Sequence, residues 1–159
     1  MKRFSQLKLF ALLLLGVLVY LSPAAEARSC SMAATAGGYG FTLNGVVISP
    51  NGPVPIAAVG KAILDVSGNV NGTEARSVGG GYADETFTGT YAVSADCTGT
   101  TTLQFFENGN LVRTSVLSLV VDNNEREIRM VQKSLTLPNN VVLPAIITVE
   151  ARRMFTDEE

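Results

Sequence analysis

The chain has 159 residues, a formal net charge of −2 and no histidine. That length suits one domain with its own core. The mild acidity disfavours nucleic acid and anionic lipid, which both need clustered Lys and Arg, and the missing histidine excludes Ser-His-Asp and Cys-His catalysis.

Lys2, Arg3 and Lys8 form a positive n-region, and an apolar run follows from Leu9 to about Leu21. Ser22, Pro23 and small residues then lead to Ala25-Glu26-Ala27, an A-x-A cleavage site. That order predicts a secretory signal helix over residues 1–27, cleaved after Ala27. The competing reading is a retained anchor, but a spanning helix needs about 20 apolar residues. Removing Lys2, Arg3, Lys8 and Glu26 takes the formal charge from −2 to about −4. The expected location is periplasmic or extracellular, with no membrane span after cleavage. Two cysteines remain, Cys30 and Cys97. In an exported chain an even count predicts a disulfide, the alternative being two free thiols. Two distant cysteines without histidine do not make a zinc site, so no metal or cofactor is expected.

After the signal, Ser31 to Thr35 reads as a short helical turn, capped by Ser31 and ended by Gly37-Gly38. Eight strands are predicted next, at 39–48, 56–66, 70–78, 85–93, 99–106, 111–121, 126–133 and 145–153. Turn residues separate them, notably Ser49-Pro50-Asn51-Gly52-Pro53, Ser67-Gly68-Asn69, Gly79-Gly80-Gly81, Asp122-Asn123-Asn124 and Pro138-Asn139-Asn140. Asn108-Gly109 supplies the positive φ angles of a two-residue type I′ hairpin. Alternation supports strands: Phe87, Gly89, Tyr91 and Val93 share one face, and Thr86, Thr88, Thr90 and Ala92 the other. Gly45, Gly60 and Gly89 fall inside strands, where glycine permits sharp bending. The predicted domain, 28–155, is therefore all-β. An eight-stranded antiparallel up-and-down barrel removes the two edges that a meander leaves; a β-sandwich is the alternative. The helical turn would plug one barrel end, tied by Cys30–Cys97, and a charged tail would follow at 156–159.

Gly38-Tyr39-Gly40-Phe41, Ala58-Val59-Gly60, the stretch from Asp65 to Thr73, and Phe87-Thr88-Gly89-Thr90-Tyr91-Ala92-Val93 with Asp96-Cys97-Thr98-Gly99-Thr100 carry a resemblance. They resemble uncharacterised small secreted bacterial β-barrel proteins. The resemblance implies a shape similar to calycin-like or allene-oxide-cyclase-like barrels and carries over no catalytic residue. The chain departs from true lipocalins, whose N-terminal motif is Gly-x-Trp, because it has no Trp.

No stretch forms a recognised catalytic motif. Gly79-Gly80-Gly81 lacks the Lys-Ser/Thr of a P-loop and reads as a turn. Asn71-Gly72-Thr73 fits the glycosylation pattern but also reads as a turn, and Asp84-Glu85 as a solvated strand start. Arg152-Arg153 reads as a guard against edge aggregation, and the charges from Glu125 to Arg129 as a solvated hairpin start. Strand parity nevertheless puts Glu85 on the face of Phe87 and Tyr91, Arg113 on that of Leu117 and Leu119, and Gln132 on that of Ile128 and Met130. If those faces point inward, a few polar groups stand among aromatic and aliphatic walls, the chemistry of a small-molecule pocket. The candidate ligand-binding residues are Phe41, Glu85, Phe87, Tyr91, Phe105, Arg113, Met130 and Gln132, and the expected partner is a small apolar molecule. The alternatives are a structural protein without ligand and a cyclase- or isomerase-like enzyme, for which Glu85 is the acid to consider. An outer-membrane barrel is disfavoured because Lys61, Asp65, Glu127, Arg129 and Lys133 interrupt the outer faces.

Overall fold

A computed structural model describes residues 29–122 and 124–154. The predicted signal peptide, its cleavage site and the charged tail lie outside these residues. The described chain has one short helix, α1 (Met32–Thr35), and nine strands. These are β1 (Gly37–Ser49), β2 (Gly52–Leu64), β3 (Asn69–Val78), β4 (Gly81–Val93), β5 (Thr98–Glu107), β6 (Asn110–Asp122), β7 (Glu127–Thr136), β8 (Val142–Leu143) and β9 (Ala145–Arg153).

Each strand from β1 to β7 pairs antiparallel with the next, and β9 lies between β7 and β1. Eight strands thus close into an up-and-down barrel, which rules out the sandwich. The two-residue β8 pairs with the end of β7 at Leu135 and Thr136.

Period-two patterning sets the barrel's inside and outside. Along β4, Ala83, Glu85, Phe87 and Tyr91 are buried while Asp84, Thr86, Thr88 and Thr90 are exposed. Two buried clusters occupy most of the interior. One, near α1, holds Tyr39, Leu64, Phe87, Tyr91, Phe105 and Val121 among others. The second holds Leu43, Ile56, Leu117, Leu135, Ile147 and Val149. Phe41, Leu103 and Met130 pack against both.

Glycine lets the sheet bend this tightly. A Cβ on Gly89 would run into the Thr102 carbonyl, and one on Gly60 would stand 2.6 Å from the Phe41 ring. Two bulges adjust the pleat. Val112 is the extra residue between the pairs Phe105–Arg113 and Phe106–Leu111. Lys133 is the extra residue between Leu117–Gln132 and Val116–Ser134, so Gln132 and Leu135 both turn inward across the skip.

The expected turns form where positive φ is available. Asn108 and Gly109 have φ of 50° and 79°, and Gly68 takes 89°. Three local readings need correction. β2 starts at Gly52 and includes Pro53 and Pro55; β3 joins it only from Ile56, so the prolines stand where β2 lacks that neighbour. Asn71-Gly72-Thr73 is not a turn but the middle of β3, paired with Thr88, Phe87 and Thr86. β4 begins at Gly81, four residues before Glu85, so Glu85 is not a solvated strand start.

The α1 end is closed. Ser31 Oγ accepts from the Ala34 amide, and Cys30 is disulfide-bonded to Cys97 with Cα atoms 4.9 Å apart. The Tyr39 hydroxyl lies 2.8 Å from the Thr35 carbonyl and 3.0 Å from that of Glu125. Arg153 Nη2 donates to the carbonyls of Ala34 at 2.6 Å and Ala36 at 3.0 Å. Arg153 therefore satisfies the end of α1 and is not an edge guard; Arg152 alone is exposed. Glu125, read as solvated, accepts from the Ser31 amide through Oε1.

The disulfide spans 67 residues of sequence. Replacing both cysteines by serine should lower the unfolding free energy by about 4 kcal/mol, read from denaturant melts of the oxidised protein and the double variant.

Candidate functional site

Inward positions of β1, β4 and β5 bring three phenylalanines together at mid-barrel. The rings of Phe41 and Phe87 are 5.9 Å apart at 64°, and those of Phe87 and Phe105 are 5.3 Å apart at 44°. They line a cavity of about 70 Å³, together with Glu74, Leu103, Arg113, Met130 and Gln132. Its wall is almost wholly apolar. The space is about two waters' worth, and roughly half the ~150 Å³ that admits benzene.

One side of the interior carries charge. Register places Glu74 of β3 directly opposite Glu85 of β4, and both side chains are buried, at 1% and 0% exposure. Two like charges across a ladder repel, and arginines offset this. Arg113 enters opposite Phe105, its guanidinium carbon 3.7 Å from the ring centroid. Its Nη2 pairs with Glu74 Oε1 at 2.6 Å and its Nη1 with Glu85 Oε2. Arg76 Nε and Nη2 each reach Glu85 Oε1 at 2.7 Å, and Glu107 lies 3.9 Å from Arg76. Both oxygens of Glu85 are thus occupied. Among the described residues, Glu74 Oε2 is buried and meets no hydrogen-bond donor.

The two carboxyls titrate in opposite directions. Burial pushes Glu74 up to about 7; the Arg113 charge and hydrogen bond pull it down, and Glu85 adds to the rise. Burial also works to raise Glu85, but the Arg76 hydrogen bond and Arg113 outweigh it and hold the group below the usual carboxylate range.

The structure brings most of the sequence candidates together. Phe41, Phe87, Phe105, Arg113, Met130 and Gln132 stand on the cavity wall. Tyr91 does too, but its hydroxyl donates to the Asp65 carbonyl at 2.6 Å and so belongs to the closed end. Gln132 Nε2 folds back to the Ser134 carbonyl. Glu85 is buried but lies off the wall, and its occupied oxygens suit it poorly to accepting or delivering a proton. Glu74 and Arg76 were missed although the expected strand 70–78 contains them, because the inward series Val70, Gly72, Glu74, Arg76, Val78 was not followed through Asn71-Gly72-Thr73. Carrying strand alternation through Gly72 exposes that series.

No family model and no curated protein matches the chain. Among solved structures, one described as "EF1p2_mFAP2b bound to DFHBI" aligns with a TM-score of 0.54 at 10% identity, covering 79% of this chain and all of the other. A redesigned β-barrel, mFAP1, bound to DFHBI, aligns at 0.50 and 14% identity over 80% of this chain and all of the other. The likeness is one of fold.

Two outcomes follow from the charge network. Glu74 has a higher pKa folded than unfolded, so the folded protein keeps a proton that the unfolded chain releases above pH 4.5. Stability should fall as pH rises from about 4.5 to 7, by on the order of 3 kcal/mol, and Glu74→Gln should flatten that slope in melts across the range. Arg113→Met leaves Glu74 without its cation, which should cost about 3–5 kcal/mol at pH 8. The loss should shrink at pH 5, where Glu74 already holds its proton.

Proposed function

We propose that the protein is an exported barrel, a single domain over 28–155 freed by cleavage after Ala27, that binds a small, mostly apolar molecule in its interior. The carrying observation is the unfilled cavity among Phe41, Phe87 and Phe105, with Arg113 and Glu74 on its wall. A fully packed eight-stranded barrel needs no such space. The DFHBI complexes of the two similar barrels support the reading, since this fold accommodates a ligand in them. The disulfide suits an oxidising compartment, periplasmic or extracellular. At about 70 Å³ the cavity must grow to take a ring-sized ligand, and Met130 is the wall residue best able to give way.

Native mass spectrometry of protein purified from its own compartment tests this. The expected result is a discrete extra mass that is lost on denaturation and absent from Ser115→Phe, which fills the cavity. A bare mass for wild type, together with a higher melting temperature for Ser115→Phe, would favour a packed structural barrel instead.

A further inference from the structure

We infer that Glu74 is the polar anchor of the cavity, and that the ligand it selects is a neutral alcohol or phenol on a small apolar body. This rests on the reading of the interior as a ligand site and narrows it to one chemistry.

Glu74 stands on the cavity wall, its side chain 1% exposed. Arg113 takes one oxygen, and the other has no donor. A buried acceptor without a partner bears its full loss of hydration, so a ligand that brings a donor recovers what the fold leaves open. Most of the surrounding polar groups are committed elsewhere. On β3, Arg76 is turned to Glu85. On β4, Glu85 is held by two arginines, and it can accept from Glu74 only while Glu74 holds its proton. On β5, Thr101 Oγ1 donates to the Thr90 carbonyl at 3.0 Å, and Glu107 faces Arg76. On β6, Arg113 spans both glutamates, with Ser115 beside it in the wall. On β7, Gln132 binds back to Ser134.

Charge then narrows the ligand. The cavity wall is almost wholly apolar, so a charged ligand would lose its hydration there without recovering it. A hydroxyl both donates and accepts. It can donate to the carboxylate and accept from the carboxylic acid, which matters for a group that titrates near neutrality. An ammonium, an amide N–H or a ketone fits only one of those conditions. Phe41, Phe87, Phe105 and Leu103 make the rest of the wall suit an apolar body.

Phenol and toluene, which differ by a hydroxyl in place of a methyl, provide the test. Each is titrated into the disulfide-bonded mature protein and into Glu74→Met, followed by amide NMR shifts. Phenol should bind wild type at least about tenfold more tightly than toluene, and the preference should vanish in Glu74→Met while toluene binding persists. Equal binding by wild type, or a preference that survives the substitution, would overturn the anchor and leave the interior-binding reading standing. Binding by neither probe would remove both. Should Glu74→Met not fold, the wild-type Glu74 carboxyl carbon decides: phenol should shift its resonance and toluene should not, and identical responses would sink the proposal.

Discussion

Closure of the sheet is the constraint on which the rest depends. β9 returns between β7 and β1, so the eight main strands have neighbours on both sides and no long edge is left to pair with other chains. A sheet of eight strands can close only by bending hard. The bends fall where a side chain would meet backbone or a packed ring, as at Gly89 against Thr102 and Gly60 under Phe41. The same rings that cover glycine then project to the barrel axis. Phe41 and Phe87 serve the curvature of the sheet and the wall of the cavity together.

The two ends of the barrel solve different problems. At one, α1 lies across the opening, its carbonyls met by Arg153 and its N-terminal side held by Glu125 and the disulfide. Tyr39 and Tyr91 turn their hydroxyls to backbone carbonyls there, so large apolar bodies are buried without stranding their polar atoms. On one wall of the interior the strands instead turn charge inward. Glu74 and Glu85 come face to face because β3 and β4 are in register, and the pair is tolerable because Val112 bulges and delivers Arg113 between them. The compensation is unequal. Glu85 receives two arginines and stays charged, while Glu74 receives one and keeps its proton to near neutrality.

Much of the architecture was legible because strand physics is local. Alternation in β4 and β6, the Asn108-Gly109 turn, the Ser31 cap and the Cys30–Cys97 pair all act over a few residues or admit one pairing. Phe41, Phe87, Phe105 and Arg113 could be put on an inward face by parity alone. The failures came where a local signal was overridden by a neighbour far away in sequence. Gly52 and Pro53 read as part of a turn, yet β1 holds them in register. Asn-Gly-Thr at 71–73 reads as a turn, yet β2 and β4 flank it on both sides. Glu74 lies in a strand that the sequence did indicate, at 70–78, and stayed concealed because its parity was not followed across Gly72.

The sequence by itself determined that this is an all-β chain of about eight strands, with a cysteine pair and an aromatic inward face, since composition and period two suffice for that. Only the tertiary structure decided which carboxylate would be met by one arginine and which by two. That depends on the β3–β4 register, on one bulged residue in β6 and on how many arginines reach each oxygen, and these are distances between strands that no local pattern encodes.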